Sequence, residues 1–552
     1  MDGITQDGAL ESGSARSPGF FARENTIAGP QFNRWLVPTA ALAIHLCIGM
    51  AYGFSVFWLP MTNEIANAPA SCANLGLMQA LTTTTCNWTV PQVTYVFGIF
   101  IAMLGVSAAI WGAWLEHAGP RKAGCIAALC WGGGMIVGGI GVMTHQLWLV
   151  YLGAGVLGGI GQGLGYITPV STLIKWFPDR RGMATGFAIM GYGGGAMIGA
   201  PLAVLLMGHF AADGGTGVAM TLITMGAIYT IVMACGAIGF RVPPSGWKPE
   251  GWEPPKSQKD NAMITHGHVH LNTAWKTPQF WLIWGVLFLN VTAGIAVISM
   301  ASPMLQDVFG GALVGITDPD AVLTASQKAA VVAAAAGLVG LISLFNSVGR
   351  LFWASLSDKI GRKNTYFCFF ILGIIMYCLL PTWGHLGMAG MFVISICVIL
   401  SMYGGGFATV PAYLADIFGT QMVGAIHGRL LTAWTAAGLV GPLIIAALRE
   451  AQLNAGVAPN LVYDRTLYIM AGLLFAGLIC NLLVRPVKEE HHMSDEEVEY
   501  ERSLQHDDPV GGKAESAARG AFGIGGVLCW LGVGVPFLIG LYIALAKAAA
   551  LF

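Results

Sequence analysis

Glu116-His-Ala-Gly-Pro-Arg-Lys122 and Asp358-Lys-Ile-Gly-Arg-Lys363 are two copies of one charged loop, their acids 242 positions apart in a chain of 552 residues. Each copy sits between two long apolar runs. A loop recurring at that interval indicates a six-helix membrane unit that has been duplicated, a common build of solute carriers. Other landmarks keep the interval: Phe177 and Phe418, like Pro201 and Pro442, lie 241 positions apart. Halves repeated in one orientation are related by an axis along the membrane normal, with the substrate path between them.

Composition agrees. The chain is 55 % hydrophobic and 10 % charged, where a soluble protein carries about 25 % charged residues. The bilayer is therefore the expected environment. A net charge of −1 excludes nucleic acid as a partner class. Residues 1–33 lack the basic start, short apolar core and cleavage site of a signal peptide and are expected to form a disordered tail.

About 20 apolar residues cross a bilayer. Thirteen such spans are expected near 34–60, 91–114, 122–144, 147–174, 183–208, 217–241, 279–303, 329–356, 363–383, 386–413, 426–448, 463–486 and 522–546. They imply a six-helix bundle over 34–241, a central loop over 242–278 and a second bundle over 279–487. An acidic tail over 488–518 precedes the thirteenth span. There Ser494 and Glu497 form a capping-box pattern, so a short solvated helix is expected. The fold class is thus an all-α membrane protein, two pseudo-symmetric six-helix bundles plus one helix that packs on them or recruits a partner.

The loops on one side hold Arg121, Lys122, Lys175, Arg180, Arg181, Lys248, Lys256, Lys259, Lys276, Lys359, Arg362, Lys363 and Arg429. The alternate loops hold Lys328, Arg449 and Arg465. The positive-inside rule makes the first side cytoplasmic, with the N-terminus there, in a plasma (bacterial inner) membrane. Cys72 and Cys86 share the loop after the first span, where they either pair, if that side is oxidising, or stay free.

The two loops resemble the signature loops of the major facilitator superfamily, the second in the fuller form Gly349-Arg-Leu-Phe-Trp-Ala-Ser-Leu-Ser-Asp-Lys-Ile-Gly-Arg-Lys363. Ile44-His-Leu-Cys-Ile-Gly-Met-Ala-Tyr52 and Lys175-Trp-Phe-Pro-Asp-Arg-Arg-Gly-Met-Ala184 resemble the oxalate:formate antiporter family, related to the monocarboxylate transporters. The similarity covers roughly residues 34–487 and implies alternating-access transport of a small carboxylate.

Arg350 is the candidate centre. It lies eight residues before Asp358, which places it about 12 Å inside its helix end. A charge at that depth costs about 2.5–3.5 kcal/mol and marks a substrate path. Guanidinium is permanently charged and matches a carboxylate with two parallel bonds. The resemblance supports the assignment, because an arginine at this place in the eighth helix binds anions in that family. Two departures narrow the substrate. Relatives that carry oxalate have a lysine in the eleventh helix, whereas Leu430-Leu-Thr-Ala-Trp-Thr-Ala-Ala-Gly-Leu-Val-Gly-Pro442 has none, so a monocarboxylate is expected. Proton-coupled relatives have an aspartate one turn before the arginine, where this chain has Asn346.

Tyr52, Tyr166, Tyr403 and Trp434 are expected to wall the cavity, with His45 as a hydrogen-bond donor, a proton carrier or a structural histidine. Glu116, Arg121, Lys122, Asp358, Arg362 and Lys363 are expected to latch the halves at the cytoplasmic end. A nucleophile, a metal set and a cofactor motif are all missing from the sequence. Gly158-Gly-Ile-Gly-Gln-Gly163 lies inside an apolar run and is no nucleotide loop. Transport by anion exchange, not catalysis, is the expectation, by a monomer without cofactor; a proton-coupled monocarboxylate symporter, an oxalate:formate antiporter and a non-transporting sensor using the same pocket are the rival readings.

Overall fold

The computed structural model describes residues 19–65, 76–211, 215–244, 246–253, 263–316, 323–505 and 523–548. Among them, thirteen helices are long and apolar enough to cross a membrane. These are α1 Arg34–Met61, α2 Val90–Ala118, α3 Pro120–Met143, α4 Leu147–Trp176, α5 Arg181–Phe210, α6 Val218–Gly239 and α7 Pro278–Phe309. They continue with α8 Ala325–Ile360, then α9 Arg362–His385, α10 Ala389–Phe418, α11 Val423–Asn454, α12 Pro459–Leu483 and α13 Ile524–Ala546. Each matches an expected span.

Helix ends follow local chemistry. Thr89, Thr277 and Thr324 cap the starts of α2, α7 and α8 by accepting a backbone N–H from the residue three positions on, which satisfies a donor the helix leaves open. Gly119 and Gly361 reverse the chain at the two signature loops with φ of +80° and +86°. Side chains with a Cβ rarely tolerate that backbone, so one residue joins α2 to α3 and one joins α8 to α9.

The packing repeats with the sequence. Within the first half α1 packs on α5 and α6, α2 on α4, and α3 on α4 and α6. Within the second half α7 packs on α11 and α12, α8 on α10, and α9 on α10 and α12. The halves meet where α2 packs on α11 and α5 on α8, contacts that a pseudo-two-fold axis exchanges. Two six-helix bundles therefore face each other, and α13 lies outside that pattern against α1, α5 and α8.

Residues 19–33 differ from the expected tail. Arg23 and Thr26 are buried; the Val242 N–H donates to Thr26 O and the Ala28 N–H to Val242 O, each at 2.9 Å. The segment thus straps the loop ends of α2, α3 and α6; residues 1–18 lie outside the described ones. The helix Asp495–Gln505 has the expected capping box, with Ser494 N–H to Glu497 Oε2 at 2.8 Å and Glu497 N–H to Ser494 Oγ at 3.2 Å. It is not wholly solvated, because Glu501 is buried near His117 and His270. Cys86 is disulfide-bonded; Cys72 lies outside the described residues.

Candidate functional site

Close approach of backbones seats the site. A Cβ on Gly404 of α10 would stand 2.3 Å from the Asn346 carbonyl of α8, and one on Gly49 of α1 would stand 2.3 Å from the Tyr192 carbonyl of α5. Glycine alone fits there. The first approach holds Arg350 against α10, and the second holds the His45–Tyr52 face of α1 against α5.

Arg350 is fully buried. Its Nε donates to Asn346 Oδ1 and its Nη1 to the Ile189 carbonyl, both at 3.1 Å. Its Nη2 has no partner, and no described carboxylate pairs with it. The guanidinium stands 5.4 Å from both the Tyr192 and Phe407 ring centroids, where ring quadrupoles attract a cation. Two neutral acceptors and two rings stabilise it, yet a buried cation is ordinarily paired.

The other expected residues converge around it. Tyr52 Oη and Tyr403 Oη are 3.2 Å apart and join α1 to α10 across the halves. Trp434 packs on Tyr166, Tyr192 and Phe407, with centroids 5.4, 5.5 and 4.8 Å away. His45 Nε2 approaches the Tyr166 carbonyl at 3.3 Å. The Tyr166 hydroxyl, the Trp434 Nε1 and His45 Nδ1 are buried without partners. The result is a packed cluster of aromatic rings around one guanidinium, with several polar atoms that have no partner, the chemistry that holds a compact organic anion.

Four residues of this cluster carry no clear signal in the sequence. Tyr192 lies in a glycine run that reads as flexible backbone, and Phe407 follows another. Gln162 donates to Tyr192 Oη at 2.7 Å and to the Ile48 carbonyl at 3.0 Å. His427 of α11, in the second half, faces Tyr166 of the first with 5.9 Å between rings, and neither of its ring nitrogens has a partner. A histidine inside an apolar run was the available signal for it.

At the signature-loop end the two acids act symmetrically. Asp358 of α8 accepts the Gly182 and Met183 N–H groups at the start of α5, each at 2.8 Å. Glu116 of α2 accepts the Gly424 N–H at the start of α11 at 3.1 Å and pairs with Lys175 at 2.7 Å. Each half thus places a carboxylate on a helix N-terminus of the other, where four open N–H groups and the helix dipole favour an anion. Arg362 binds Asp358 at 2.6 Å and Asp416 at 3.3 Å, and Asp416 takes Arg181 from the first half at 3.0 Å. This end is shut.

Three signature-loop residues do not reach across it. Arg121 donates to the Phe20 and Asn25 carbonyls, Lys122 lies over the Trp114 ring, and Lys363 donates to the Leu482 and Val484 carbonyls. Each is held by its own half. Asp416 and Arg181 complete the closure instead, and Lys175 holds Glu116 within the first half. Beside it, burial holds His268 down at about 4, with Arg502, Arg181 and His492 adding repulsion, so it is neutral near pH 7.

Comparison with known proteins agrees with the architecture. The Major Facilitator Superfamily profile matches residues 41–442 and 320–550. The oxalate:formate antiporter of Oxalobacter formigenes is 26 % identical over 70 % of this chain and 82 % of its own length. Apicoplast pyruvate carrier 1 of Toxoplasma gondii is 24 % identical over 65 % of this chain and 69 % of its own. Rat monocarboxylate transporter 12 is 25 % identical over 58 % of this chain and 65 % of its own. Among solved structures, the Escherichia coli fucose:proton symporter superposes with a TM-score of 0.53 at 13 % identity, covering 82 % of this chain and all of that one; it bears on the fold alone.

Proposed function

This chain belongs to the Major Facilitator Superfamily, and from that premise we propose that it carries a small monocarboxylate across the membrane by alternating access, exchanging one anion for another. The observation that carries the reading is Arg350, fully buried, with one nitrogen unpartnered and, among the described residues, no acid paired with it. A monocarboxylate supplies the missing charge and the missing acceptors together. The aromatic rings around Arg350 pack against its carbon skeleton, and the unpartnered Tyr166, Trp434 and His45 atoms can meet its remaining oxygens.

Exchange follows from the electrostatics. Crossing between states requires the central cation to move past an apolar lining, which costs less when an anion rides with it. An empty carrier returns slowly and a loaded one quickly, so flux in one direction feeds on flux in the other. With the positive-inside orientation, the shut end faces the cytoplasm of a bacterial inner membrane and the carrier awaits substrate from outside.

A second reading rests on the two buried imidazoles that flank Tyr166. His45 and His427, one from each half, hold three unpartnered ring nitrogens, and histidine is the side chain suited to binding and releasing a proton near neutral pH. A carrier using them would move carboxylate and proton together.

Counterflow in proteoliposomes separates these readings. Exchange predicts that labelled acetate, lactate or pyruvate enters faster when the vesicles hold unlabelled acid, with pH equal on both sides. Uptake that needs an acid exterior and ignores internal acid selects the proton reading. Binding of the same acids with no entry under either condition would leave a sensor.

A further inference from the structure

We propose that α13 is part of the substrate pathway: its Ile543 and Ala544 wall the vestibule through which a short organic anion reaches Arg350, and Ala544 sets the width of that passage. The proposal rests on the carrier reading above. Its starting point is a cavity of about 190 Å³ on the side of Tyr52 away from the signature loops. Tyr52 and Ser55 of α1, Pro201 of α5, Ser343 of α8, and Ile543 and Ala544 of α13 contribute to its lining. Such a volume admits a small anion with water.

The vestibule leads to the site. Ser343 lies two turns from Arg350 on one face of α8, about 10 Å along the axis. Tyr52 lines the cavity with Ser343, its ring is 5.2 Å from Tyr192, and the Tyr192 ring in turn lies 5.4 Å from the guanidinium. A carboxylate leaving the hydroxyls of Ser55 and Ser343 passes the Tyr52–Tyr403 pair and meets Arg350.

The fourth wall is built by register. α13 runs parallel to α5 at a constant offset of 343 positions: Phe187 meets Trp530 with rings 5.8 Å apart, Gly194 meets Phe537, and Gly540 meets Met197. A Cβ on Gly194 would stand 2.6 Å from the Phe537 ring, and one on Gly540 would stand 2.9 Å from Ile198. Toward its C-terminal end α13 crosses to the other half, where Ala544 packs on Gly340 of α8. It therefore spans the seam between α5 and α8 beside the cavity. Take it away and this cavity opens sideways to acyl chains; with it, that side is covered.

Thiol labelling tests the claim. Ala544→Cys and Ser343→Cys are made in full-length protein whose exposed Cys235 and Cys529 are replaced by serine, and Leu538→Cys, 61 % exposed on α13, is the lipid-facing control. A membrane-impermeant methanethiosulfonate, charged and confined to water, is expected to modify Ala544→Cys and Ser343→Cys at least about tenfold faster than Leu538→Cys. Modification at Ala544→Cys should stop lactate uptake, and excess lactate should slow the labelling. Ala544→Cys reacting no faster than Leu538→Cys, or reacting without loss of uptake, overturns the proposal while the carrier reading stands. If instead the vestibule labels as expected and no carboxylate is taken up by the unlabelled protein, the carrier reading fails and the pathway assignment falls with it.

Discussion

Arg350→Met is expected to abolish carboxylate uptake, by about 100-fold or more, while the purified protein melts at the same temperature or higher. The loss follows because truncating one partner of a buried, hydrogen-bonded charge pair costs about 2–5 kcal/mol, or roughly thirtyfold to several thousandfold in affinity. The stability half has the opposite sign to most core substitutions. Arg350 is held by two neutral carbonyl acceptors and two rings, so without substrate its burial is a net burden. Methionine matches its length without the charge, and apolar replacement of buried ionic groups is often neutral or stabilising. Arg350→Lys should fall between parent and methionine variant, since it keeps the charge but loses the planar fork and the ring stacking. Proteoliposome uptake and a thermal melt on the same preparations check both halves. A methionine variant that transports normally removes Arg350 from the site, and one that melts far below the parent makes Arg350 a structural residue.

Asp358→Asn is the second large effect, expected to cut uptake about tenfold or more by letting the signature-loop end fall open. The carboxylate accepts the Gly182 and Met183 N–H groups and Arg362 at once. Hydrogen bonds to charged groups contribute about 1.5–3 kcal/mol each. Asparagine keeps one acceptor oxygen and no charge, so the closed state loses roughly the worth of one such bond, enough to shift a two-state population about tenfold or more. Glu116→Gln should act in the same direction, since Glu116 makes the equivalent contact with Gly424. An Ala354→Cys reporter, on a residue fully buried against Gly182 and Gly186, reads the gate. Its alkylation should rise from the loop side in the asparagine variant. Parental transport together with an unreactive reporter would remove Asp358 from the latch.

Depth was legible in the sequence, and azimuth was not. The count of residues from Asp358 placed Arg350 inside the bundle, and the 242-residue interval paired Gly119 with Gly361, which share one backbone conformation. Apolar run lengths gave thirteen spans because only helix satisfies a lone backbone in lipid. Which side of a helix faces the seam is a different quantity. The signature loops contain both acids and five lysines and arginines, yet Arg121, Lys122 and Lys363 serve their own half, while Asp416 and Arg181, outside the motif, complete the closure. Tyr192 and Phe407 form the floor of the guanidinium site because neighbouring glycines let helices touch. A glycine run shows that two backbones can meet without showing which rings stand beside them. Residues 19–33 read as polar tail because their partners, Val242, Arg121 and Glu116, are remote in sequence.

The central claim is that an anionic substrate completes the charge of Arg350, and ligand-dependent melting tests it most directly. Purified parent protein and Arg350→Met are each titrated with formate, acetate, lactate, pyruvate, glycolate and oxalate at constant ionic strength. The account predicts a saturable rise in melting temperature for at least one monocarboxylate in the parent, a smaller rise with oxalate, and none in the methionine variant. Equal stabilisation of both proteins by the same acid would contradict it.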